Sequence, residues 1–146
     1  MSIRDEWVVL DTNIWIFGLR RTVDCPACAE LLENLNQLQV ALPRQILQEL
    51  QANLTEDELR VLFQLLNRLE RPPKIDWQKA TSEAISKYRQ MGCKLGDAVL
   101  STHLEELGIK TLITENRDFL EELTGLSFRR VNASQAMAEL RAVDSR

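Results

Sequence analysis

The sequence predicts an α/β protein, a three-layer α/β/α sandwich around a central parallel sheet of about four strands. Three observations lead there. Short apolar runs recur at Trp7 to Leu10, Gln39 to Leu42, Thr111 to Thr114 and near Ser127 to Val131, each about the length of a buried strand. Successive runs are separated by enough residues for a helical crossover, which makes parallel pairing the economical arrangement. The stretches between them repeat their apolar residues at helical spacing instead of alternating.

Taken in order, Trp7-Val8-Val9-Leu10 is rich in β-branched and aromatic residues and stops abruptly on Asp11, where strand hands over to helix. Ile14, Trp15 and Phe17 predict a short helical turn, interrupted at Gly18 ahead of the basic pair Arg20-Arg21; Trp15 and Phe17 are read as core. Asp24 is a plausible cap, with Pro26 just inside, for a helix carrying Ala29, Leu32, Leu35 and Leu38. After the second strand, Pro43 begins a helix with Ile46, Leu47, Leu50 and Leu54 on its apolar stripe and Glu49 on the flank. Thr55-Glu56-Asp57-Glu58 has the form of a capping box and opens a helix through Leu59, Leu62, Phe63, Leu66 and Leu69, which Pro72-Pro73 ends. A short extended segment, Lys74-Ile75, leads to an amphipathic helix from about Trp77 to Met91 that Gly92 stops. Asp97 then stands at the N-terminus of a helix bearing Ala98, Val99, Leu100, Leu104 and Leu107 and ending at Gly108. The third strand exits into Glu115, Asn116, Arg117 and Asp118; a helix from about Asp118 to Leu123 and a last one from Ser134 to Ala142 complete the pattern.

A chain of 146 residues is most simply one domain, burying roughly two thirds of its unfolded surface. Its apolar runs are too short to span a bilayer and no signal segment opens it, so a soluble, cytoplasmic protein with no membrane contact is expected. A net charge of -4 argues against duplex DNA bound by bulk electrostatics, yet nucleic acid remains open as a substrate where acids hold divalent cations. Three Cys and one His do not make a disulfide framework or a four-ligand zinc site. Cys25-Pro26-Ala27-Cys28 has the spacing of a redox pair; its other reading is that Cys28 packs in the core. His103, six residues beyond Asp97 on one helix, turns away from it and reads as structural.

In open parallel sheets ligands sit outside the carboxyl ends of the strands, and helix N-termini line the same edge. Asp11, Glu49, Asp97, Asn116 and Asp118 all fall at that edge. A single Asp after a strand can equally form an Asx turn or a cap, and it is the recurrence that points to chemistry. Carboxylates gathered without a counter-ion repel one another, and a bound cation removes the difficulty. Oxygen donors without His or Cys select Mg²⁺, with Mn²⁺ as the alternative, over zinc.

These residues resemble the PIN domain, a Rossmann-like Mg²⁺-dependent nuclease fold common as the VapC-type toxin of toxin-antitoxin modules. The carriers are Val9-Leu10-Asp11-Thr12-Asn13, Leu42-Pro43-Arg44-Gln45-Ile46-Leu47-Gln48-Glu49-Leu50, Leu95-Gly96-Asp97-Ala98 and Leu112-Ile113-Thr114-Glu115-Asn116-Arg117-Asp118-Phe119, in the family's order across nearly the whole chain. The resemblance implies that Asp11, Glu49 and Asp97 hold the metal, and that Asn116 falls where members carry Asp or Asn. Asn116 adds no charge, which leaves Asp118 as a possible substitute ligand. Thr12, Asn13 and Thr114 are read either as groups that orient the carboxylates or as turn formers. The implied activity is metal-assisted hydrolysis of RNA, and the implied partners are a small antitoxin protein and a second copy of the chain in a homodimer. Arg20, Arg21, Arg44, Lys94 and Arg117 lie near the edge in sequence and are candidates for RNA phosphates. Two rivals remain. A haloacid-dehalogenase phosphatase needs a second Asp where Asn13 stands, and a catalytically weak PIN-like module would bind RNA or a partner without cleaving.

Overall fold

Val8, Val9 and Leu10 are wholly buried, so β1 (Trp7–Leu10) is the central strand and the apolar run of the sequence is its cause. In the computed structural model, which describes residues 3–144, it lies in a five-stranded, all-parallel sheet of order β3-β2-β1-β4-β5. The other strands are β2 (Gln39–Pro43), β3 (Lys74–Asp76), β4 (Thr111–Ile113) and β5 (Arg129–Val131). Seven α-helices connect and flank them: α1 (Thr12–Leu19), α2 (Pro26–Glu33), α3 (Arg44–Asn53), α4 (Glu56–Asn67), α5 (Ser82–Gln90), α6 (Leu95–Leu107) and α7 (Ala133–Asp144).

The chain runs outward from β1 through β2 to β3, then crosses back to β4 on the opposite side of β1. That reversal makes the carboxyl ends of β1 and β4 the topological switch point, where open α/β sheets form their binding crevice. Asp11 follows β1 there, and its main-chain N–H donates to Ile113 O at 2.8 Å, extending the ladder by one bond into the loop.

The sheet thus has five strands where about four were expected. The extra one is Lys74–Asp76, read from the sequence only as an extended segment: three residues, two of them exposed, give an edge strand no apolar signature. Gly18 does not interrupt α1. A Cβ there would stand 2.5 Å from Leu32 Cδ1 and 2.9 Å from Cys28 O, so Gly18 is the point at which α1 and α2 approach closely. α2 stops at Glu33, and Leu35–Gln37 forms a 3-10 turn that carries the same apolar spacing onward. α5 begins only at Ser82, capped by Thr81 Oγ1 accepting from Ala84 N, which leaves Trp77 to Ala80 in a loop. The Asp118–Glu122 segment is a single π-helical turn. The capping box at Thr55 and Glu58 and the left-handed Gly108 (φ 67°) after α6 are as the sequence indicates. Trp15 is fully buried and donates its indole N–H to Leu10 O at 3.1 Å, while Phe17 packs on the core from a half-buried position.

Candidate active site

Asp11 caps α1 and is 7% exposed. Its Oδ1 accepts from Thr12 N at 2.8 Å, and its Oδ2 accepts from the Thr114 hydroxyl, also at 2.8 Å, across the β1–β4 switch. The cap reading of Asp11 holds, and the capping carboxylate is also buried at the carboxyl edge of the sheet. Burial pushes it up to about 6; the Thr114 and Thr12 hydrogen bonds oppose that shift, and the negative charges of Glu49 and Asp97 add to it. That mutual influence joins three acids separated by 38 and 48 residues in the chain.

Asp97 sits in the first turn of α6, half-buried, and is also raised: burial is the largest cause, with the charges of Asp118 and Glu49 adding to it. The Asn116 amide lies over it, Nδ2 donating to Oδ1 and Oδ2 at 3.3 and 3.4 Å. Glu49, one turn inside α3, accepts from Gln45 Nε2 at 2.8 Å. A Cβ on Gly96 would lie 3.5 Å from that Nε2 and 3.8 Å from Glu49 Oε1, ordinary contact distances that place the Glu49 side chain against the first turn of α6.

The loop after β4 ties these pieces together. Thr114 Oγ1 accepts from Asn116 N at 2.9 Å while donating to Asp11, and Asn116 Oδ1 accepts from Asp118 N at 3.0 Å. Asn116 thus uses its oxygen on the backbone and its amide on Asp97. Asp118 faces Lys94, with Nζ to Oδ2 at 3.3 Å, and its charge acts on Asp97. Asn13 Oδ1 accepts from Glu115 N at 3.1 Å, which fixes the loop to the start of α1.

Glu115 is the residue that sequence reasoning left without a role. Its Oε2 accepts from Ala133 N at 3.0 Å at the start of α7, and its Oε1 accepts from the Cys25 thiol at 3.4 Å at the start of α2. One side chain and its backbone therefore bind the N-termini of α1, α2 and α7. The only signal was its place between Thr114 and Asn116.

Of the five basic residues near the edge in sequence, Arg20 pairs with Glu58 at 2.8 Å and Arg21 with Glu33 at 3.0 Å, neither of them an acid of the candidate site. Lys94 is engaged with Asp118, Arg117 is exposed, and Arg44 stacks over Trp77 at 5.2 Å. His103 is buried, with burial pulling its imidazole toward the neutral form, and it lines a cavity of 270 Å³ with Arg44, Gln45, Gln48 and Lys79.

The donor set is all hard oxygen, and a buried carboxylate destabilised by its neighbours is what a cation relieves. Among the described residues no three acidic, His or Cys side chains are gathered closely enough to enclose an ion. Each carboxylate instead holds a neutral donor of its own: the Thr114 hydroxyl on Asp11, the Asn116 amide on Asp97, the Gln45 amide on Glu49. The set fits Mg²⁺, which takes one or two carboxylates and completes its shell with water.

A search of curated proteins gives no match. Among solved structures, the fold is similar to that of VapBC2 from Rickettsia felis bound to a DNA fragment from their promoter, with a TM-score of 0.58 and 20% identity over 86% of this chain and 98% of that one. It is similar also to PAE2754 from Pyrobaculum aerophilum, with a TM-score of 0.50 and 14% identity over 94% and 97% of the two chains. Residues 8–123, which span β1 through the turn after β4 and include every acid described above, match the PIN domain family, whose members are generally nucleases; the chain belongs to that family.

Proposed function

We propose that the protein is a divalent-metal-dependent endoribonuclease, the VapC-like toxin of a toxin-antitoxin pair acting in the cytoplasm. The observation that carries this reading is the buried Asp11 carboxylate at the switch point, held by Thr114, raised chiefly by burial and further by the charges of Glu49 and Asp97. Asp11, Asp97 and Glu49, which do not enclose an ion as they stand, are the residues that would turn from their neutral donors to hold Mg²⁺ or Mn²⁺. Bound there, the cation supplies Lewis acidity toward water and toward the phosphodiester. Asp11 is kept in place by two hydrogen bonds, Asn116 holds Asp97 and braces the loop, and Asp118 keeps Lys94 over the same edge. Glu49 and Asp97, which each hold only a side-chain amide, are the acids assigned the proton from the attacking water. Asn13 uses its oxygen on Glu115 N, and its amide N–H is far too weak an acid to protonate a leaving group, which leaves the phosphatase rival without its acid.

A path for single-stranded RNA follows from charge. Arg44 and Lys79 line the 270 Å³ cavity together with Gln45, the donor to Glu49, and the half-exposed Trp77 stacks on Arg44. That volume lies just under the usual range of about 300–1,000 Å³ for ligand cavities, so it is proposed to take no more than one nucleotide of the strand. The similar Rickettsia felis structure is of VapBC2 bound to promoter DNA, which supports a small antitoxin as partner; the homodimer is proposed from the family resemblance alone. A catalytically weak binding module is the second reading, favoured by the neutral Asn116 and by carboxylates that each keep their own donor.

Cleavage of a mixed RNA pool with and without Mg²⁺ tests the proposal. Metal-dependent cleavage that falls about a hundredfold or more in Asp97→Asn supports the nuclease. Binding of RNA with no cleavage under any divalent metal supports the second reading instead.

A further inference from the structure

Cys25 and Cys28 are free thiols whose sulfurs lie 2.7 Å apart, at the N-cap and third residue of α2 with Pro26 between them at the first helical position. The sulfurs are already in contact, and the Cys-x-x-Cys turn at a helix N-terminus is a geometry that closes into a disulfide with little backbone movement. Cys28 is wholly buried and Cys25 partly exposed, so the two have different access to solvent. Nothing in the proposed hydrolysis uses either thiol.

From this we infer that Cys25 and Cys28 form a reversible dithiol–disulfide couple whose closure withdraws the Cys25 thiol from Glu115, and with it a support of the loop that carries Thr114 and Asn116. The co-reactant is a low-molecular-weight disulfide. Cys25 sulfur attacks one of its sulfurs, the S–S bond breaks, and the first small thiol leaves with the Cys25 proton. Cys28 sulfur then attacks Cys25 sulfur in the mixed disulfide, and the second small thiol leaves with the Cys28 proton. Two protein thiols are oxidised and one small disulfide is reduced to two thiols. Burial raises the Cys28 thiol well above its ordinary range and keeps it protonated, which assigns first attack to the accessible Cys25 and resolution to Cys28.

Glu115 is where closure is felt. Its Oε1 loses the Cys25 donor, which removes one of three anchors and loosens the other two, Oε2 on Ala133 N and the main-chain N–H on Asn13 Oδ1. In a reducing cytosol the couple is open; under oxidation it closes.

The test equilibrates the whole chain with mixtures of reduced and oxidised glutathione, labels free thiols with N-ethylmaleimide after denaturation, and weighs the product. Under oxidising mixtures wild type is expected to take one label, on Cys93, and to recover all three after dithiothreitol. Cys25→Ser, whose hydroxyl keeps a donor near Glu115, should take labels on both Cys28 and Cys93 at every ratio. Three labels on wild type throughout, or a product that stops as a glutathione adduct on Cys25, would overturn the couple. The second readout is amide hydrogen exchange at Glu115 and Ala133, expected to become about tenfold faster on oxidation in wild type alone. Unchanged exchange in fully oxidised wild type would sever the link to the loop. Neither readout involves RNA, so the result stands apart from the nuclease assay.

Discussion

Asp11 is the residue on which the site turns, and its environment fixes a pH dependence. Its folded value is about 6 and its ordinary value 3.8, so the metal-free folded state binds the proton more tightly than the unfolded chain does. Below pH 3.8 both states are protonated and there is no penalty. Between there and pH 6 stability falls as pH rises, and above pH 6 the full cost, on the order of 3 kcal/mol, is present. Asp97 is raised as well and adds in the same direction. Asp11→Asn is therefore expected to raise the melting temperature of the metal-free protein at pH 7, to flatten the loss between pH 4 and 6, and to abolish cleavage. Melting curves across that range in a chelator check it; equal slopes in wild type and variant would mean that Asp11 is not strained. Thr114→Val acts on the same pair from the other side. It removes the donor to Asp11 and the acceptor for Asn116 N, and an expected loss of about 1–3 kcal/mol in denaturant unfolding would accompany weaker cleavage.

At this scale the sequence was informative about residue identity and nearly silent about partners. Asp11, Thr114 and Asn116 were legible because each interrupts or follows an apolar strand, but the hydroxyl of Thr114 serving Asp11 spans 103 residues and leaves no local trace. Glu115 went unassigned for the same reason. Its three connections reach Asn13, Cys25 and Ala133, which belong to three different helices.

Among the elements, the buried strands and the capped helices were readable because burial and capping are written locally, in Val8-Val9-Leu10 and in Thr55 with Glu58. What failed is where tertiary contact overrides local pattern. Trp77 to Ala80 extends the spacing of α5 backwards, yet Arg44 draws this loop aside by donating to Trp77 O at 3.2 Å and stacking on the indole. Gly18 looks like a helix breaker and is in fact a packing residue. Gly18→Ala would drive a methyl into Leu32 and the Cys28 carbonyl, and since the backbone oxygen cannot yield cheaply, a loss of about 1–3 kcal/mol is expected despite alanine's better helix propensity. Urea unfolding checks the sign; a gain in stability would mean that the α1–α2 contact is loose.

For the molecule as a whole, the topology gathers acids from four separate segments at one reversal of strand order, and the basic residues retained near them are Arg44, Lys79, Lys94 and Arg117. No helix among the described residues is long and apolar enough to cross a membrane. If single-stranded RNA lies over the cavity that Arg44 and Lys79 line, Arg44→Ala with Lys79→Ala should raise KM about tenfold, leave kcat near wild type, and reduce the salt slope of binding by about 1.4. Fluorescence titration with an uncleavable oligonucleotide at several salt concentrations measures that slope, and an unaltered slope would move the RNA elsewhere.

Calorimetric titration of Mn²⁺ into the metal-free protein at pH 7 bears most directly on whether these distant carboxylates share one ion. Wild type is expected to bind, with proton release that grows when the titration is repeated below pH 6, where Asp11 still holds its proton, and Asp11→Asn and Asp97→Asn should each lose the heat. Undiminished binding in both variants, or no binding to wild type, would contradict the account.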